Sequence, residues 1–235
     1  MESQGKRLPF VRRTGFLALA ALAALAAVAL SCHAAEAKCR APVDKPKVRL
    51  NMLMGELEVN HDLGRDRIKA LSDKVIGHVQ GPWHVPLGLT HSATSARYET
   101  AFTYSRDSGT YCVSLTKAEI SVGLVELTVY VSNEYARGTC QYEAIHAHEM
   151  DHVKRNREVV KRYQERIRKA LSRVLRAKRV IRVYNKAEAR SAYILAFQRA
   201  VKPLLRDLTA EQARANAQID TERSYRAIFA QCPEW

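Results

Sequence analysis

Residues 140–154 read Cys140-Gln-Tyr-Glu-Ala-Ile-His-Ala-His148-Glu149-Met150-Asp151-His152-Val153-Lys154. Two features of this stretch decide the fold. Ile145, His148, His152, Val159, Tyr163, Ile167, Leu171 and Val174 recur at steps of three, four and seven residues, the spacing of one helix face. No Gly or Pro occurs between Cys140 and Pro203, so nothing interrupts that face. The spacing predicts a long helix reaching Val183, a turn at Tyr184-Asn185, and a second helical region over Lys186–Ala230 with a kink at Pro203.

The helix carries chemistry. His148-Glu149-Met150-Asp151-His152 is an H-E-x-x-H. Histidines at i and i+4 lie one turn apart on one face, so both imidazoles can reach a single zinc ion. Glu149 is rotated about 100° from His148, which puts it beside the metal, where it can take a proton from a water held there. The competing reading is two solvated histidines on a charged helix. Against it, both sit on the apolar stripe, where buried side chains need partners. His146 is about 200° away from His148 and is expected to pack or face solvent.

Zinc needs a third protein ligand. A metzincin pattern would place a glycine at position 155 and a histidine at 158; the chain has Arg155 and Glu158, so the ligand must come from elsewhere. If the two long helices form an antiparallel hairpin, residues near 215–219 lie level with the motif. Asp220 falls there, on a face with Ala213, Ala217, Ser224 and Ala227, and is the first choice. Glu222 is second, being rotated by about 200°. Glu188 would lie roughly 40 Å away at 1.5 Å per residue. Tyr225 is a candidate to assist at the metal or donate to an oxyanion, against a plain packing role.

Upstream of the motif the pattern is different. Val48, Leu50 and Met52 alternate with polar residues and predict a first strand. Asp62–His78 has helical spacing. Residues 80–95 hold Gly81-Pro82, Pro86 and Gly88 and read as loop. Arg97–Tyr104, Thr110–Ala118 and Leu124–Asn133 read as three strands, with turns at Asp107-Ser108-Gly109 and Gly123.

The chain begins with an export pattern. Lys6, Arg7, Arg12 and Arg13 precede an unbroken apolar run of 15 residues, Phe16 to Leu30. Small residues follow, and Ala35-Glu36-Ala37 offers a cleavage site. The run is short of the ~20 residues a membrane span needs. Residues 1–37 are therefore expected to be a signal peptide, and the protein secreted or periplasmic. Lipid attachment at Cys32 is the second choice, because the Leu usual three residues before such a cysteine is Ala29 here. In an oxidising compartment the remaining cysteines are expected to pair, as Cys112–Cys140 and Cys39–Cys232.

The full chain has 235 residues with 38 Lys and Arg against 24 Asp and Glu, a net charge of +14. With 47% apolar residues it can build a core, which excludes wholesale disorder. Beyond residue 37 the balance is 34 basic against 22 acidic, or +12. Most of it sits between Lys154 and Arg182, with 13 basic and two acidic residues. An exported chain does not meet cytoplasmic nucleic acid, so a nucleic-acid partner is not expected. The basic run is either a solvated helix face or a surface for the anionic cell envelope.

The stretch Cys140–Val153, together with the signal, the strands before it bearing Cys112, and Asp220-Thr221 near the end, resembles a bacterial family of predicted secreted zinc-dependent proteases. The likeness covers most of residues 45–232. It implies hydrolase chemistry and a zincin-like fold. That family commonly carries a His-Gly after its terminal Asp…Thr element; this chain has Glu222-Arg223-Ser224-Tyr225 there and no histidine after His152.

The expectation is thus an α+β protein: a signal peptide, then one zincin-like domain over residues 38–235. Strands and one helix would fill 45–133, and a long antiparallel helical hairpin over 141–230 would carry the motif. Function is expected to be zinc-dependent hydrolysis of peptide or protein substrates, with Glu149 as general base and His148, His152 and Asp220 on zinc. The alternative is a basic envelope-binding or metal-stabilised structural protein without catalytic activity.

Overall fold

The computed structural model describes residues 39–40, 44–75 and 86–235. The expected signal peptide and Cys32 lie outside the described residues. Residues Cys39–Trp235 make one compact unit. Its elements run β1 (Lys47–Met54), β2 (Glu58–Asn60), α1 (Arg65–Val75), β3 (Gly88–Asp107), β4 (Thr110–Val131), α2 (Cys140–Ala177), β5 (Val180–Val183), α3 (Lys186–Ala217) and α4 (Glu222–Phe229).

Strand β4 is the spine. Along one edge it pairs antiparallel with β3 over their whole length, from Asp107↔Thr110 to Gly88↔Val131. Its other edge takes β5 antiparallel at residues 111–114, then β1 parallel at 117–124, then β2 parallel at 128–130. The sheet is therefore mixed, and with the helices packed on it the arrangement is α/β. This corrects the expected α+β fold with a small antiparallel sheet and a helical hairpin. The parallel pairings of β1 and β2 with β4 overturn the first part. The link between the long helices overturns the second: α2 stops at Ala177, and the chain adds strand β5 to the sheet before α3 begins at Lys186, behind its N-cap Asn185.

The two strands expected over Thr110–Ala118 and Leu124–Asn133 are one strand, β4, with two bulges. The β3–β4 register shifts between Ala101 and Phe102, and again between Ala93 and Thr94. These skip Thr116 and Val125 of β4, and each extra residue flips which side chains face inward. The buried positions accordingly run Val113 and Leu115, then Ala118, Ile120, Val122 and Leu124, then Leu127, Val129 and Val131. Gly123 is not a turn but a close approach within the strand: a Cβ there would lie 2.2 Å from the Leu53 carbonyl oxygen of β1. Gly88–Ser95, expected as loop, is the start of β3.

The core lies between this sheet and the two long helices. Tyr142, Ile145, Val153, Val159, Val160, Tyr163, Ile167 and Leu171 of α2 and Tyr193, Phe197, Val201 and Leu208 of α3 pack on it. Thr139 caps α2, its side chain accepting from the Tyr142 N–H. The helices run side by side in opposite directions, as shown by Arg162–Glu211 and Arg166–Asp207 at 2.8 and 3.5 Å.

The disulfides are Cys39–Cys112 and Cys140–Cys232, which corrects the expected pairs. Cys112 starts β4 and Cys140 follows its far end, so roughly 60 Å of extended chain separates them at 3.3 Å per residue. A disulfide tolerates no more than about 7 Å between Cα atoms. Because β1 runs parallel to β4, the chain entering β1 lies beside the start of β4, and Cys39 meets Cys112. Among the described residues, no helix is long and apolar enough to cross a membrane.

Candidate metal centre

His148 and His152 project from α2 toward Asp220. The second helical region is not continuous, as expected, but breaks just there. Helix α3 ends at Ala217, and α4 restarts behind a capping box in which Thr221 and Ser224 satisfy each other's backbone N–H groups. Asp220 sits in this break, its own N–H donating to the Asn216 carbonyl at 3.1 Å.

Three donor atoms converge. Asp220 Oδ1 is 3.2 Å from His148 Nε2 and 3.0 Å from His152 Nε2, and the two Nε2 atoms are 3.3 Å apart. A tetrahedral ion with bonds of about 2.0–2.1 Å has ligand atoms about 3.3 Å apart. The triangle therefore fits one face of such a tetrahedron, and the group could hold a metal ion. The expected ligand set is brought together in full. Glu222 is not part of it; it faces Arg226 on α4. Glu188 accepts from the Tyr184 and Asn185 N–H groups at the opposite end of α3. His146 stacks on Tyr142 with ring centroids 5.8 Å apart.

The site is screened from water, and its charges are coupled. Burial would lower the pKa of His152, but the carboxylates of Asp220 and Glu149 push it up to about 9. Burial would raise Asp220, but hydrogen bonds from His148 and His152 hold it down at about 2. The Glu149 carboxyl is pushed above the usual range by burial, against the pull of both imidazoles and of Thr90.

Glu149 is 5% exposed and sits between α2 and β3. Thr90 Oγ1 lies 2.8 Å from Glu149 Oε2 and 3.0 Å from the Glu149 carbonyl oxygen, and its one proton serves either acceptor. Gly88 makes room for this: a Cβ there would lie 2.6 Å from Glu149 Oε1 and 2.8 Å from Ile145 Cγ2. Neither residue was among the expected site residues. The only signal of a close backbone approach was the glycine itself, which the neighbouring prolines turned into a loop reading.

A cavity of about 50 Å³ opens on the site, lined by Gly88, Thr90, Glu149, His152, Asn216, Asp220 and Tyr225 among others. The Tyr225 ring centroid is 5.7 Å from that of His148. Burial, together with the Asp220 and Glu149 carboxylates, raises its pKa, so Tyr225 stays a protonated hydroxyl. One polar atom here has no hydrogen-bond partner, the buried Oδ1 of Asn216.

No family model matches the chain, no curated protein matches it, and no solved structure matches it.

Proposed function

We propose that the protein is a secreted or periplasmic zinc-dependent hydrolase acting on peptide bonds. The observation that carries this reading is the convergence of His148, His152 and Asp220 within hydrogen-bond distance, with a buried carboxyl, Glu149, beside them. Two imidazoles and one carboxylate are a donor set suited to zinc. When bound, zinc supplies the Lewis acidity that polarises a scissile carbonyl and acidifies water.

The remaining work falls to the chain's own groups. Glu149, with its pKa raised, accepts a proton from the attacking water and passes it to the leaving amine. The Thr90 hydroxyl orients that carboxyl. Tyr225 donates to the developing oxyanion. Peptide substrates are favoured over other acyl compounds because β3 begins at the cavity and pairs with a described strand on one edge only, which leaves an edge that can take an extended backbone. Two disulfides are compatible with a location outside the cytoplasm.

The test is metal content and cleavage measured together. Wild type should carry about one zinc per chain and cleave members of a peptide library, with chelator abolishing cleavage. His148→Ala should lose the metal. Glu149→Gln should keep it while cleavage falls at least ~100-fold. Equal, near-zero zinc in wild type and His148→Ala would sink the site. The small cavity favours a second reading, a metal-stabilised protein without activity; zinc binding with no cleavage of any library member would select it.

A further inference from the structure

His152 has two ring nitrogens, and Nε2 is the one that faces His148 and Asp220. An imidazole presents a bare nitrogen to a metal only when its proton resides on the other, and that proton needs an acceptor. Asn216 is placed to supply one. It lies one helical turn before Asp220 and lines the same cavity.

Its orientation is set by a second amide. Asn216 Nδ2 donates to Asn156 Oδ1 at 3.1 Å, and Asn156 stands one turn beyond His152 on α2. Gln212 Nε2 in turn donates to the Asn156 backbone carbonyl at 3.3 Å. Asn156 and Gln212 are 1% and 4% exposed, polar side chains in a helix interface that apolar residues would fill as well. With Nδ2 committed to Asn156, the planar amide turns its oxygen the other way. That oxygen is buried and has no partner of its own, a costly state unless a donor arrives.

We infer that Asn216 is a positioning residue of the metal centre. Its Oδ1 accepts the Nδ1 proton of His152 and holds the tautomer whose Nε2 lone pair faces the ion. Asn156 and Gln212 hold the amide in place. The inference rests on the zinc reading above.

The experiment uses the purified mature protein and zinc alone. Zinc affinity is measured by competition with a chromogenic chelator for wild type, Asn216→Leu and Asn216→Asp. The His152 tautomer in the zinc-loaded wild type is read by long-range nitrogen–proton NMR. Leucine removes the acceptor at similar volume and should weaken zinc binding 10- to 100-fold. Aspartate keeps an acceptor and should bind within a few-fold of wild type or tighter. The His152 spectrum should show the proton on Nδ1. Zinc binding by Asn216→Leu equal to wild type, or a His152 proton on Nε2, overturns the inference while leaving the metal site standing. A wild type that takes up no zinc overturns the metal reading and this inference with it. The tautomer is read on the wild type, so a variant that fails to fold does not remove the test.

Discussion

Thr90 and Glu149 are 59 positions apart in the chain and share one proton at 2.8 Å. A hydrogen bond to a carboxylate contributes about 1.5–3 kcal/mol, and 1.4 kcal/mol is a factor of ten in rate. Thr90→Val, near in shape but without the hydroxyl, should therefore lower kcat/KM about tenfold with zinc content unchanged. Because the hydroxyl holds the Glu149 pKa down, its loss should also move the acid limb of the pH–rate profile to higher pH. An unmoved acid limb would assign Thr90 to packing alone. His152 supports a second prediction, on stability. In chelator-treated protein its pKa is raised to about 9 from an ordinary 6.5. Stability from its protonated form is full below the ordinary value and lost as pH rises through about 9. The Tm of chelated protein should fall from pH 6.5 to 9. Zinc requires neutral histidines, so the stabilisation that zinc adds should grow over the same interval; parallel melting curves with and without zinc would contradict this. The histidine pair and Glu149 were legible in the sequence because the i, i+4 rule holds within one helix. Thr90 was not, because its neighbour is set by how a helix lies on a strand, which no local spacing encodes.

Elements were legible where their period is unbroken. Helix α2 was read from its stripe, and its start at the Thr139 cap agrees with the reading within a residue. Its end was not, because Val180–Val183 continues the apolar content while switching to β5. Strand β4 was split in two because Gly123 reads as a turn, although the inward phase runs unbroken from Ala118 to Leu124 and the glycine marks a close approach to β1. The break between α3 and α4 was missed for a related reason: no Gly or Pro marks it, and Thr221 with Ser224 reads equally well as helix surface. That break positions Asp220, a member of the candidate metal group. Asp220 precedes the cap directly, so the capping box fixes the backbone that carries it. Thr221→Ala should cost about 1 kcal/mol of stability, read as a lower urea midpoint. It should also weaken zinc binding severalfold by loosening Asp220. Unchanged zinc affinity in a destabilised variant would mean that α3 alone holds the aspartate.

At the scale of the whole molecule, neither charge nor pattern holds the site together; one covalent tie, Cys140–Cys232, and one buried interface do. The basic run on α2 is partly answered by α3, through Arg162–Glu211 and Arg166–Asp207, but such exposed pairs contribute about 0–1 kcal/mol each. The disulfides act differently from each other. Cys39–Cys112 ties the approach to β1 onto the start of β4, at the end opposite to Gly88 and the site. Cys140–Cys232 joins the start of α2 to the chain after α4, where Ala144, Ile228 and Cys232 form a small apolar cluster. Helix α4 carries Tyr225 and follows Asp220 immediately, so this second tie closes the structure over His148, His152 and Asp220. Both span long stretches, 73 and 92 residues, and loop entropy predicts similar losses, typically 2–5 kcal/mol, when either is removed. Their effects on the site should diverge. Cys140→Ser with Cys232→Ser should lower both the urea midpoint and zinc affinity, because the segment bearing Asp220 and Tyr225 is released from α2. Cys39→Ser with Cys112→Ser should lower the midpoint by a comparable amount and leave zinc affinity within twofold of wild type. Equal losses of zinc affinity in the two double variants would show that the site senses global stability rather than this tie. Unequal losses in the stated direction would locate the closure of the metal centre at the carboxyl-terminal disulfide.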